Sequence, residues 1–447
     1  MSWAALSPET PAFSGTRAVV PPTSVILTGN QEEWGYHSPA TLLCIPKADS
    51  FDDRSLTLVV PSHICGILST QEGVSSPFFF FCSIPESLVV LLVTDPAMYL
   101  PCLLLLFTRS LAYLFTPDNT ETLIDHRIPV VFDVATSQTL SYAEAPISGF
   151  WITSFLTATD GSQYFLASGL LASESVSAYG ASLLDLQTFQ RHAFFDPATF
   201  TNANLESFNF TTQDYELSGI PPDNLAMKLS SDVPGASFDL ILHATSRAAY
   251  YYGTGTYRYV NDTMYNWVFP ATKTSGSITV PGQFGDDAEQ IELDPAASLT
   301  WYDRVWGSAE LRKGNSTFFV LYVDDSDLIL WMNVVESLDP PFKSRSVNIC
   351  ARGKSWHHIH AIDVFEPDTD AVWTSPRTGK TYPQEWRLGI EGRGELHIKS
   401  VIGDQELAAK GNDGAGIYMG FSTFEGVLDG EDVTGFGVSE LRLAGIV

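Results

Sequence analysis

The sequence predicts an all-β chain built from antiparallel sandwiches or barrels, and three observations carry that expectation. Short apolar runs recur between clusters of Gly, Asp and Ser, the punctuation of strands and tight turns. Aromatics make up 12% of the chain while charged residues make up only 17%, against roughly 25% charged in an average globular protein. Residues that suit a pleated, half-buried surface are therefore over-supplied. No stretch sustains a 3.6-residue apolar period, and no repeat of fixed length is present.

The elements follow in order. The first 116 residues differ from the rest. From Pro77 to Thr116 the chain is strongly apolar, yet Glu86, Asp95 and Arg109 interrupt it, as do prolines at 77, 85, 96 and 101. The longest uncharged run there, Pro96 to Thr108, falls short of the 18 or so residues of a spanning helix, so no stable membrane span is expected. Read from Met98, an apolar run ends at Ser110-Leu111-Ala112, a pattern that resembles a secretory signal with cleavage near Ala112. Alternatives are a buried segment of a genuine domain, or non-native sequence before Met98. With the signal the protein is secreted; without it, cytoplasmic. Residues 1–116 are thus read as an atypical leader. Strands are expected at 149–155, 163–167, 237–244, 276–280, 316–323, 327–334, 386–390 and 395–398. The stretch from Gly282 to Pro295 reads as a linker or a long loop. The expected domains are 117–307 and 308–447.

Composition also limits function. Lys and Arg number 24 against 52 Asp and Glu, a net charge of −28. Binding phosphate backbones or anionic lipid needs the opposite balance, so nucleic acid is excluded as a partner. Four of the five cysteines, Cys44, Cys65, Cys82 and Cys102, lie in the leader, and no CxxC pair exists. Three sequons, at Asn209, Asn261 and Asn315, are candidate glycosylation sites. No GxSxG elbow, P-loop or HExxH is present, and Gly253-Thr-Gly255 lacks a helix to follow it, so no nucleotide or nicotinamide cofactor is expected.

The densest constellation is Trp301-Tyr302-Asp303-Arg304-Val305-Trp306. In a strand Trp301 and Asp303 share one face, while Tyr302, Arg304 and Trp306 share the other. Asp303 and Arg304 could pin two sheets. Alternatively Asp303 sits in an apolar wall with a raised pKa and acts as a general acid. His357, His358 and His360 suggest a metal only weakly, because no third ligand of matched geometry declares itself. The aromatics Trp151, Tyr252, Trp267, Trp306, Trp331 and Trp356 could be ordinary core or could line a ligand pocket.

The segments SRAAYYYGTG from Ser246, YNWVFPATKTSGSI from Tyr265, LTWYDRVWG from Leu299 and TGFGVSEL from Thr434 resemble the fungal lipocalin-like proteins. That group includes kievitone hydratase-like proteins and lipocalin-like Diels–Alderases, with hydroxyneurosporene synthase more remote. The resemblance covers about residues 125–447. It implies two lipocalin-like β domains, no cofactor, and a small apolar polyketide-type substrate. The activity it places first is intramolecular [4+2] cycloaddition of a polyene in fungal secondary metabolism. Tyr302, Arg304, Asn266 and Trp267 would then be donors to the dienophile. The alternatives are hydration of an isoprenoid or prenylated phenolic alkene, with Asp303 as acid and Trp301 and Trp306 facing the cation, or non-catalytic carriage of an apolar metabolite.

Overall fold

The turn clusters fall where the chain reverses. Thr159 to Ser162, Asp324 to Asp327, and Asp429-Gly430 each join two antiparallel strands, and Asp325, Asp429 and Gly430 take the positive φ that such turns demand. The computed structural model describes the strands between Leu56 and Val93, and residues 112–444 apart from 122, 126, 139–146, 173–176, 198, 200–201, 205–207, 282–287, 309–312 and 409–415. Strand accounts for 65% and helix for 2%, so the protein is all-β as expected.

The chain divides into two units, residues 1–111 and 112–447. In the first, β1 (Leu56–Val60), β2 (His63–Leu68), β3 (Phe78–Ile84) and β4 (Ser87–Val93) form an antiparallel meander. The Met98 signal reading lies outside the described residues, apart from its end at Ala112.

The second unit carries two large sheets. The N-terminal one contains β5 (Ile147–Thr157), β6 (Gln163–Ala172), β7 (Ala178–Asp185), β8 (Arg191–Pro197), β9 (Asn202–Asn204), β10 (Asn209–Thr211), β11 (Tyr215–Ile220), β12 (Ala226–Ser231), β13 (Ser237–His243), β14 (Ala249–Tyr250), β15 (Thr256–Tyr259), β16 (Asp262–Val280), β17 (Glu289–Glu292) and β18 (Leu299–Gly307). Its main path runs β8-β7-β6-β5-β18-β16-β13-β12-β11-β10-β9, a curled half-barrel with the long β16 as spine. β17 pairs with β16, so the second half of the expected linker belongs to this sheet.

The C-terminal sheet contains β19 (Gly314–Val323), β20 (Leu328–Leu338), β21 (Pro341–Ala351), β22 (His357–Pro367), β25 (Glu385–Ile390), β26 (Gly394–Ser400), β27 (Glu406–Ala408), β28 (Gly416–Leu428) and β29 (Glu431–Ala444), with the separate hairpin β23 (Val372–Thr374) and β24 (Thr381–Pro383). Pairing of β26 with β28 closes eight of these strands into a barrel. Closure removes the unpaired edges that an open sheet exposes.

Among the described residues three large apolar clusters result. One fills the curled N-terminal sheet and includes Phe150, Phe208, Phe210, Trp267 and Tyr302. Another fills the barrel around Phe319, Trp386 and Leu396. The third lies between the sheets and takes residues from both, including Phe155, Phe165, Trp301, Tyr322, Trp331, Phe421 and Phe436. One link across this interface follows from Pro270. The β16–β18 register shifts between Phe269 and Thr272, and the Tyr322 hydroxyl on β19 donates to the Pro270 carbonyl at 2.5 Å.

A strap leads into the N-terminal sheet. Phe115 is buried in the inter-sheet cluster, so the compact unit begins before residue 117. The short helix α1 (Val134–Ser137) follows, N-capped by Asp133, whose carboxylate accepts from Thr136 N at 2.8 Å.

Candidate active site

β18 is central in the N-terminal sheet, paired with β5 and β16, so both of its faces are covered. Alternation decides what each face meets. Trp301 and Asp303 point to the inter-sheet cluster; Tyr302, Arg304 and Trp306 point into the curled sheet. Across the strands, Asp303 is flanked by Trp151 on β5 and Val268 on β16. The Trp151 indole lies over glycines: a β-carbon at Gly169 would come within 2.3 Å of it.

The Asp303 carboxyl is buried in this aromatic wall. Tyr251 donates its hydroxyl to Oδ2 at 3.1 Å, and Asn266 donates Nδ2 to Oδ1 at 2.9 Å. The Trp301 indole N–H leans toward the same carboxylate without reaching hydrogen-bond geometry. Desolvation outweighs these donors and the charge of Arg304, and pushes the carboxyl up to about 7. The Tyr251 ring is stacked between Tyr257, at 5.7 Å, and Phe318 of the barrel, at 6.0 Å.

The barrel contributes a second carboxyl. Glu440 on β29 is opposite Phe318 in register. Burial, and then the nearby charge of Asp303, push it up to about 7 as well. Each sheet thus brings one carboxyl with a raised pKa to this wall, and Glu440 senses the charge of Asp303. Tyr252, Tyr257, Phe318, His357 and Glu440 are only half-buried, so the wall is reachable by solvent on that side. Trp331 completes it, 5.6 Å from Trp301 and 5.0 Å from His357, ring to ring.

Asp303, Trp301, Asn266, Trp151, Trp331 and Tyr252 therefore gather on the inter-sheet face. Trp356 lies before β22 and is 38% exposed, its ring 5.0 Å from His358. Tyr302, Arg304, Trp267 and Trp306 lie on the far side of the sheet, and three of them have their donors engaged there. Tyr302 donates to Gln138 Oε1 at 2.7 Å and Trp267 to Ser137 Oγ at 2.7 Å. Arg304 donates to the carbonyls of Ser137, Gly149 and Val305, and stacks on Phe150 and Trp306. Their cross-sheet position follows from a shift of one residue along the strand.

Sequence reasoning missed Glu440, Tyr251, Tyr257 and Asn348. Glu440 lies inside the TGFGVSEL segment and Tyr251 inside the Tyr250-Tyr251-Tyr252 run, so both were visible without a role. The histidine triplet is dispersed: His357 bonds Asn348, His360 Nε2 meets Arg393 Nη1 at 3.0 Å, and no group of three metal-type ligands occurs among the described residues. No helix among them is long and apolar enough to cross a membrane. Of the sequons, Asn261 is exposed in the β15–β16 turn and Asn315 is exposed on β19, whereas Asn209 is half-buried and accepts from Thr211 Oγ1 at 2.9 Å. A cleft of about 220 Å³ is lined by Leu114, Tyr322, Asp324 and Arg352.

Comparison with known proteins agrees with this architecture. A kievitone hydratase of Fusarium solani subsp. phaseoli is 29% identical over 330 residues, 74% of this chain and 91% of its own. The dehydratase asqC of Emericella nidulans is 28% identical over 344 residues, covering 74% and 94%. The crystal structure of kievitone hydratase from Nectria haematococca superposes with a TM-score of 0.67 at 26% identity, covering 74% of this chain and 98% of that one. The AttH-like pattern matches residues 157–443, well over half the chain. The chain belongs to the AttH-like family.

Proposed function

We propose that the protein is an enzyme that adds water to, or removes it from, an alkene-bearing apolar metabolite of the prenylated phenolic kind. One observation carries this reading: Asp303 and Glu440, from opposite sheets, are both held near neutrality inside an aromatic wall. Water addition needs one acid and one base at the same pH, and a pair of coupled carboxyls supplies both. The names of the relatives, a kievitone hydratase and a dehydratase, point the same way.

In the hydration direction, protonated Asp303 gives its proton to one alkene carbon. The π pair forms the C–H bond and the neighbouring carbon becomes cationic. The faces of Trp301, Trp331 and Tyr257 lower the energy of that cation. Water attacks it, the C–O bond forms, and the water's proton passes to the Glu440 carboxylate. Proton exchange with solvent resets the pair. Dehydration is the same path reversed, with Glu440 protonating the leaving hydroxyl. Cycloaddition works by shape and by donors to a carbonyl, and it makes no use of two carboxyls near neutrality.

Kievitone is the probe for the test. The wild-type protein should form the hydrate, and Asp303→Asn and Glu440→Gln should each lower kcat by about 100-fold or more. Undiminished turnover by Asp303→Asn would sink the reading. Binding of kievitone without product by the wild-type protein would identify a carrier.

A further inference from the structure

Asn348 is fully buried on β21, in the barrel wall that faces the N-terminal sheet. Its neighbours orient its amide. Oδ1 lies 3.1 Å from the backbone N–H of Tyr252, which can only donate, and Nδ2 lies 3.4 Å from the Trp331 carbonyl, which can only accept. Reversing the amide would set donor against donor and acceptor against acceptor. His357 Nε2 lies 3.1 Å from the same Oδ1. Nε2 therefore carries the imidazole proton, and Nδ1 is left as an acceptor.

The residue that Asn348 holds is strained. Tyr252 has φ 52° and ψ 30°, the left-handed region, which a side chain with a β-carbon avoids. Such strain persists where surroundings over-determine it, and it concentrates at functional sites. Here the reversal separates two adjacent tyrosines. Tyr251 turns its hydroxyl onto Asp303 of the N-terminal sheet, while the Tyr252 phenol lies beside Asn333, Ser344 and Ser346 of the barrel. Gly253 and Gly255, at φ 77° and 71°, complete the turn.

We propose that Asn348 is a positioning residue: by accepting the Tyr252 N–H it holds the turn that sets the Tyr251 hydroxyl on Asp303, and by accepting from His357 it fixes that ring as the Nε2–H tautomer. The role rests on the acid–base reading of Asp303. It makes the catalytic carboxyl of one sheet depend on a side chain of the other. Asp303 is faced by Tyr251 from the turn, Tyr257 from β15, Asn266 from β16, Trp301 from β18 and Glu440 from β29, while the charge of Arg304 acts on it from the opposite face of β18. Of these, Tyr251 is the one Asn348 controls. Its hydroxyl stabilises the carboxylate, so losing it lets Asp303 keep its proton to higher pH.

The test compares Asn348→Leu in the wild-type and Tyr251→Phe backgrounds, with kievitone as substrate. In the wild-type background kcat should fall about 10-fold with KM nearly unchanged, and the alkaline limb of the pH–rate profile should move upward. In the Tyr251→Phe background the same substitution should cost less than about 2-fold, because its target is already gone. Long-range ¹H–¹⁵N spectra of the histidine rings should show His357 as the Nε2–H tautomer in the wild-type protein and as a tautomer mixture in the variant. Equal losses in both backgrounds, or an unmoved pH limb, would overturn the proposal. Asn348→Ser, too short to reach its partners, carries the same comparison if the leucine variant does not fold. Undiminished turnover by Asp303→Asn would remove the acid–base reading, and the ring spectra, which need no turnover, would still decide whether Asn348 fixes His357.

Discussion

At the scale of single residues, Asp303 ties the proposed chemistry to stability. Its native carboxyl holds a proton up to about 7, whereas in the unfolded chain it releases it near the ordinary value of 3.8. Between those values the native state binds more protons, so this residue's contribution to stability falls as pH rises. His357 acts with the opposite sign. Burial, then the charge of His358, lower it to about 4 from 6.5, so its contribution improves as pH rises across that window. Asp303→Asn removes the first effect, together with the share of the Glu440 shift that the Asp303 charge causes. Relative to the wild-type protein, the variant should gain about 3–4 kcal/mol as pH goes from 4 to 7, the equivalent of roughly three pKa units. Urea denaturation at a series of pH values measures it. A difference independent of pH would mean that the carboxyl is not held up by burial.

At the scale of elements, β18 shows what could be read from the sequence and what could not. Alternation alone separates Asp303 and Trp301 from Tyr302, Arg304 and Trp306, and the structure places the two sets in different clusters. It does not say which face carries the chemistry. The proposed chemistry draws on Tyr251 from the turn after β14, and on Asn348 and Glu440, which the barrel brings to this face only because the two sheets pack together. A side chain's neighbours across an interface leave no periodic signal in its own strand. β17 was missed for a different reason: Glu289-Gln290-Ile291-Glu292 is poor in strand formers and is held by pairing with β16. The far face of β18 supplies a control. Ser137 in α1 accepts from the Trp267 indole and donates to the Val134 carbonyl at 2.7 Å. Ser137→Ala leaves a buried indole N–H without its partner and should cost about 1–3 kcal/mol of stability. Because α1 lies opposite Asp303, kcat on kievitone should be unchanged. Urea unfolding and steady-state kinetics on the same preparation check both halves; a loss of kcat matching that of Asp303→Asn would contradict the separation of the two faces.

At the scale of the whole molecule, the proposed site needs both sheets joined, because Asp303 and Glu440 belong to different ones. The joint is aromatic. Phe436 on β29 of the barrel lies 4.9 Å from the Phe115 ring of the strap, 5.0 Å from Phe155 on β5 and 5.3 Å from Tyr322 on β19. A cluster shared in this way couples the sheets, since neither can open without exposing the same apolar surface to water. Residues 112–447 should therefore unfold in one cooperative step, although they carry two separate hydrogen-bonded sheets. Phe436→Ala removes the ring at the centre of the joint and should destabilise the unit by about 3–5 kcal/mol. Native-state hydrogen exchange gives the decisive reading. Peptides from β6 and from β20 should lose protection together and by the same amount, although only β20 belongs to the mutated sheet. Loss confined to β20 would mean that the barrel folds by itself and that Asp303 and Glu440 are brought together by docking two independent domains.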